Sequence, residues 1–301
     1  MRKFLRQAGY FLIIVTLLPY VVTVFVNGKD AEVSGDGNSP YVSVGQNGKT
    51  KRLPLDEYGV GVLAKEMEAD AGLEALKAQA ILIRTSIYKS IQEEGSGTLL
   101  TKGYWTRRQM ENNWGAGQYG EKFEKLEKAW VETKGQVLMY DGNLALTPYH
   151  KLSNGRTRAA SEVFGNEKYP YLMVKECPQD IEAGDAMTTS MLSGAAGTDM
   201  EVTATDSAGY VTEVRCGEEK VSGEEFRAAY HLASACFTFQ EFEGQIRVTA
   251  KGIGHGLGMS QYTAEKMADE GNTYEEILNY FFEGTTVEEV AEIVVGGVPA
   301  S

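Results

Sequence analysis

Apolar residues recur every three or four positions from Leu73 through Leu76, Ala80, Ile83 and Ile87 to Ile91. That period predicts a helix of about six turns with one apolar stripe. Asp70 stands where it can cap the helix, Glu74 falls in the first turn, and Glu94-Gly95-Ser96-Gly97 ends it. Upstream, small and apolar residues (Gly61, Val62, Leu63, Ala64, Met67) surround Glu66. Downstream, Phe123, Leu126 and Trp130 mark a short amphipathic helix. The runs 136–140 and 144–149 flank Asp141-Gly142 and read as a hairpin that delivers His150. Residues 178–200 are polar and Gly-rich, a linker or a short surface helix. Strand-like alternation follows at 200–205 and 209–216 around the turn 206–209, and again at 237–242 and 245–250. Ser222 and Glu225 form a capping box that opens a helix. A helix pair over 262–282, with Tyr274, Ile277, Leu278 and Phe281 on one face, closes the chain. Helices and hairpins are segregated rather than alternating, so the expected fold is α+β, with both kinds of element around one cleft.

The N-terminus departs from this pattern. Arg2, Lys3 and Arg6 precede a stretch from Gln7 to Gly28 that carries no charge. Residues 8–27 match the hydrocarbon thickness of a bilayer as a helix, and no A-x-A cleavage pattern follows. They read as an uncleaved, single-pass transmembrane anchor. Residues 1–7 then stay in the cytoplasm and the bulk of the chain lies on the extracytoplasmic face. Residues 28–50 read as a flexible linker with one short strand at 41–44, leaving 51–301 as the folded domain.

The chain has 301 residues, 43% of them hydrophobic, enough for a sizeable core. Its net charge of −13 argues against nucleic acid and anionic membrane surfaces as partners. Three widely spaced cysteines (Cys177, Cys216, Cys236) form no C-x-x-C motif, and the sequence leaves open whether any two are bridged.

By residue chemistry alone, Glu66 is one of 42 Asp and Glu residues and reads as a surface glutamate or as a catalytic acid. Tyr104, Trp105, Trp114 and Tyr119, set among polar and Gly residues, suit either a sugar-binding wall or local packing. Gly252, Gly254, Gly256 and Gly258 punctuate a block that lets the backbone turn sharply or approach a ligand. No Lys follows them, so the block is not a phosphate loop. Within it, His255 and Gln261 can donate to sugar hydroxyls or acetamides, or simply hold a tight turn.

Two long blocks carry a resemblance. The run Glu57-Tyr58-Gly59-Val60-Gly61-Val62-Leu63-Ala64-Lys65-Glu66-Met67, followed by Glu74 to Ala80 and Arg84-Thr85, resembles stage II sporulation protein D and its relatives. Gly252 to Tyr262 resembles the same family's C-terminal block. The likeness covers roughly residues 50–288. It implies a lytic transglycosylase that cleaves the β-1,4 bond after muramic acid in peptidoglycan glycan strands, leaving 1,6-anhydro ends, in wall remodelling at sporulation. Glu66 occupies the catalytic position. Its apolar neighbours Val62, Leu63 and Met67 suit a carboxyl that must arrive protonated. The positions implied for substrate are Arg84, His150, Ser153, Asn154, His255, Gly256, Ser260, Gln261 and Tyr262. Some relatives are amidase enhancers, so a non-catalytic glycan-binding scaffold is the alternative. A cell-wall amidase and other sporulation membrane proteins are the implied partners.

The match has departures. Lys151, Leu152 and Asn154 replace small or hydroxyl residues of the family's loop after the histidine, Thr263 stands in place of Gly, and Ser86 in place of Tyr. Some relatives hold zinc beside that histidine through nearby cysteines. Here the first cysteine is Cys177, far along the chain, so no metal and no cofactor is expected.

Overall fold

The long helix around which the apolar pattern is organised becomes the axis of the molecule. The structure is a computed structural model that describes residues 40–290, apart from Asn47, Ser96 and residues 193–198. The expected anchor at 8–27 lies outside the described residues. Among the described residues no helix is long and apolar enough to cross a membrane. The fold is mixed α+β, with several small sheets and eight helices among the described residues.

Strands β1 (Tyr41–Gln46) and β2 (Lys49–Pro54) form an antiparallel hairpin, so the second half of the expected linker is built into the domain. Val42 and Val44 are its anchors, both buried in the main core. Helix α1 (Leu55–Glu66) follows directly and ends at Glu66. Helix α2 (Leu73–Glu94) is buried on more than the single predicted stripe: Ala78, Gln79, Leu82 and Tyr88 are covered as well as Leu76, Ala80 and Ile83. Its N-cap is Gly72, not Asp70, whose carboxylate instead meets Lys122 Nζ at 2.7 Å. Strand β3 (Leu99–Leu100) joins β1 in parallel. Helices α3 (Arg107–Trp114) and α4 (Ala116–Glu132) come next, α3 with a Thr106–Gln109 capping box. From α4, Trp130 packs over α1. A Cβ at Gly59 would sit 2.2 Å from the indole, so only glycine allows this approach.

The hairpin at Asp141-Gly142 forms with positive φ at both turn residues, as a two-residue type I′ turn requires. It is shorter than expected. Strand β4 (Gln136–Tyr140) pairs with only two residues of β5 (Asn143–Leu144), then the chain leaves the sheet and Thr147 Oγ1 donates to the Leu82 carbonyl of α2. Strand β6 (Tyr149–His150) therefore stands apart from that hairpin, and α5 (Ala160–Phe164) follows.

The later half builds a second, smaller core. In place of the expected linker, residues 178–182 make one 3₁₀ turn, and β7 (Met187–Met191) forms a strand. Its residues are polar or exposed, so they carry no strand-like alternation; pairing with a later strand decides the conformation. Strands β8 (Met200–Thr205), β9 (Val211–Cys216) and β10 (Glu219–Val221) make one sheet. Helix α6 (Gly223–Ala229) opens on the expected Ser222–Glu225 box. Strands β11 (Phe237–Phe242) and β12 (Gln245–Lys251) pair with each other, and β12 with β7. Phe226, Phe237, Val211, Val214 and Val248 fill the space between. Strand β13 (Met259–Ser260), helices α7 (Gln261–Asp269) and α8 (Tyr274–Phe281), and β14 (Thr286–Glu289), which pairs with β4, complete the chain.

Candidate active site

Strand β6 is joined to the Gly-rich block by parallel pairing with β13, Tyr149 against Met259 and His150 against Ser260. Isolated bridges continue the contact: Leu152 with Ile253 and Arg158 with Leu257. The glycines make this closeness possible. Gly258 has φ +74°, and a Cβ there would lie 2.0 Å from the Pro148 carbonyl oxygen. Arg158 fastens the arrangement from beneath. Its amide donates to the Gly256 carbonyl at 2.8 Å, and its buried guanidinium pairs with Asp206 at 2.6 Å and Glu224 at 2.9 Å.

A cleft of about 310 Å³ opens above this junction. Glu66 lies at its edge, with Trp105, Trp114, Lys151, Gln261 and Tyr262 among the lining side chains. The Glu66 side chain is 28% exposed, and its Oε2 is 3.9 Å from Lys102 Nζ. Gln261 Nε2 donates to the Glu66 backbone carbonyl at 2.9 Å and to Gln79 Oε1 at 3.1 Å, tying the end of α1 to the start of α7. Trp105 is held by its own amide, which donates to the Gly61 carbonyl at 2.9 Å. Trp114 meets Trp105 edge-on, with ring centres 6.1 Å apart. Of the four aromatics singled out from sequence, these two face the cleft. Tyr104 is buried against Tyr58, and Tyr119 stacks on Trp114 and Phe123.

The remaining sequence-predicted residues occupy other places. Arg84 is 2% exposed; its guanidinium donates to the Trp130, Thr133 and Gln136 carbonyls and lies 4.1 Å over the Trp130 ring. It organises the core around α2 and presents no surface to a ligand. His150 is buried, shares an Nδ1 contact of 3.2 Å with the Leu257 carbonyl, and is pushed down to about 3 by burial and then by His255. It is therefore a neutral imidazole, with Nδ1–H as donor. The His255 ring centre lies 5.8 Å away; its Nδ1 accepts from the Leu257 amide, and burial likewise favours its neutral form. Gly256 is buried under Tyr210.

Ser153 and Ser260 are brought together by a residue that carried no sequence signal. Asp180, fully buried, accepts from the Ser153 amide at 2.7 Å, the Ser260 hydroxyl at 2.7 Å and the Thr263 hydroxyl at 2.7 Å. Thr263, the departure from glycine, thus has a definite contact. Ser260 also caps α7. Asn154 donates to the Ala208 carbonyl and to Cys236 Sγ, and faces a separate cavity of about 510 Å³ bordered by Phe237 and Phe239.

Comparison with known proteins now adds to this geometry. The family model described as SpoIID, stage II sporulation protein, matches residues 43–140. A stage II sporulation protein D of Bacillus amyloliquefaciens is 31% identical over 265 residues, covering 81% of this chain and 76% of that protein. The chain belongs to the stage II sporulation protein D family. The Bacillus subtilis (strain 168) protein of the same name is also 31% identical, over 81% of this chain and 77% of its own length. An amidase enhancer of Bacillus subtilis (strain 168) is 25% identical over 75% of this chain, which spans 40% of that longer protein.

The zinc associated with some members of this family does not fit the residues present. Among the described residues no three His, Cys, Asp or Glu side chains converge as ligands. The Cys177 thiol is buried, donates to the Lys175 carbonyl at 3.8 Å, and is pushed up to about 12 by burial and then by Asp180. All three cysteines are free.

Proposed function

We propose that this family member is a peptidoglycan lytic transglycosylase with Glu66 as its single essential acid and base. The observation that carries the reading is a half-buried carboxyl at the edge of a cleft walled by two indoles. Indole faces suit the apolar faces of pyranose rings, and Gln261 and Tyr262 supply polar edges for hydroxyls and acetamides. Glu66 donates its proton to the glycosidic oxygen, and the bond from that oxygen to muramic C1 breaks. The C6 hydroxyl of the same sugar then bonds to C1 and returns its proton to Glu66, giving a 1,6-anhydro end. We further propose that residues 8–27 anchor the chain in the membrane with this domain on the outer side, acting on the cell wall during sporulation.

Glu68, Glu265 and Asp185 also border the cleft, so a second carboxylate is within the same space. Two-carboxylate hydrolysis differs in product. Full-length protein incubated with purified glycan strands should release fragments whose masses match anhydro-muramic ends. Reducing-end fragments would replace this reading with hydrolysis. The likeness to an amidase enhancer supports a second reading, a glycan-binding partner of a wall amidase. Tight glycan binding with no cleavage, combined with stimulation of an added amidase, would select it.

A further inference from the structure

The loop after β3 places a cation beside Glu66 that no sequence pattern announces. Lys102 Nζ is 3.9 Å from Glu66 Oε2 and 4.1 Å from the centre of the Tyr149 ring. Its backbone is fixed, because the Tyr58 hydroxyl donates to the Lys102 carbonyl at 3.0 Å. Tyr149 is supplied by β6 and held there by the pairing with Met259. Its hydroxyl is buried, and the Glu66 carboxyl acts on it both by charge and as a hydrogen-bond acceptor.

We propose that Lys102 and Tyr149 are positioning residues for the Glu66 carboxyl, the ammonium holding its ionised form by charge and the phenol standing as the donor that closes on it once the proton has left. The proposal rests on the reading of Glu66 as the acid and base. Within one turnover that carboxyl must exist both protonated and ionised. Between donation to the glycosidic oxygen and return of the proton from the C6 hydroxyl, it carries a full charge in a partly desolvated site. Lys102 and Tyr149 are themselves unchanged by the cycle. Burial, and then Glu66's own charge, pushes the Tyr149 phenol up, so it remains a donor throughout. Burial pushes the Lys102 amine below its ordinary value, and the charge of Glu66 opposes that shift.

Other charged and titratable groups bear on the site. Tyr58 feels Glu66 from α1 itself. Around the cleft stand Lys65 and Glu68, Glu265 and Tyr262 on α7, and the Lys151–Asp185 pair at 3.0 Å. His255 feels the charge of Lys102. All of these are constant across the variants below.

The test has one readout that needs activity and one that does not. Cleavage of purified glycan by full-length protein is followed against pH. The reaction needs a protonated Glu66, and a nearby ammonium favours loss of that proton. Lys102→Met should therefore move the alkaline limb of the profile up by about one pH unit and lower maximal turnover with little change in KM. Lys102→Arg should restore the limb, and Tyr149→Phe should move it in the same direction without any change of charge. Independently, the ¹⁵N signal of the Lys102 side chain is titrated in the wild type and in Glu66→Gln. Loss of the carboxylate should move the lysine's midpoint down. An alkaline limb that stays in place in both Lys102→Met and Tyr149→Phe, or a Lys102 midpoint unmoved in Glu66→Gln, would overturn the proposal. If the wild type cleaves nothing, the transglycosylase reading fails alone, and the Lys102 titration still decides the coupling. Should Lys102→Met not fold, that same titration decides.

Discussion

Glu66→Gln should abolish most glycan cleavage while leaving the protein folded and able to bind. The amide keeps the shape of the side chain but has no proton to give to a leaving oxygen. General acid catalysis contributes roughly a hundred- to ten-thousand-fold, so turnover should fall into that range. Stability should barely change. The ion pair lost is long, 3.9 Å, and both partners are partly in solvent. Such pairs contribute about 0–1 kcal/mol. Glycan binding should persist for a structural reason: Gln261 is fixed through the Glu66 backbone carbonyl, which the substitution does not touch. Rate by release of anhydro products, and Kd by titration with the same strands, check both halves. Anhydro products released at near wild-type rate by a folded Glu66→Gln protein would remove Glu66 from the mechanism.

Asp180→Ala should produce the largest loss of stability. The carboxylate is fully buried and receives one amide and two hydroxyls, each at 2.7 Å. Removing it leaves those three donors without their acceptor in a space closed to solvent. The expected cost is about 3–5 kcal/mol, which for a domain of this size lowers Tm by roughly 10 °C. Thr263→Val removes only one of the three donors and should cost about 1 kcal/mol. Asp180 also fastens the loop after His150 to the start of α7, so glycan affinity should fall together with Tm as Gln261 and Tyr262 lose their fixed place. Thermal unfolding followed by circular dichroism is the measurement. An Asp180→Ala protein melting within about 2 °C of the wild type would show that this network is not a fastening.

The parts of the candidate site that were legible in the sequence have local signals. Glu66 sits in a run of small and apolar residues next to a long helical period, and the structure places it at the end of a helix pressed under Trp130. The spaced glycines from 252 to 258 announce a backbone that turns where side chains cannot, and all four have positive φ. Capping boxes at Ser222 and hairpin turns such as Asp141-Gly142 involve residues two to four apart, so their chemistry is complete within a few positions.

What escaped the sequence depends on pairing across long separations. Lys102 is a single lysine in a polar stretch, and only the fold of α1 and β6 sets it between Glu66 and Tyr149. Asp180 lies in a segment that reads as linker, yet it joins residues 27 and 80 positions away. Arg84 and Ser260 belong to recognisable blocks, but a block does not say which way a side chain turns; one goes to the core carbonyls, the other to Asp180. By itself the sequence determined the α+β class, the family, the central helix and the position of the glutamate beside it, because periodicity, capping and motif order are written in neighbouring residues. Tertiary structure alone decided which polar groups reach the cleft and which are consumed inside, because a buried donor or acceptor takes whatever partner the packing brings within hydrogen-bonding distance, however far apart the two lie along the chain.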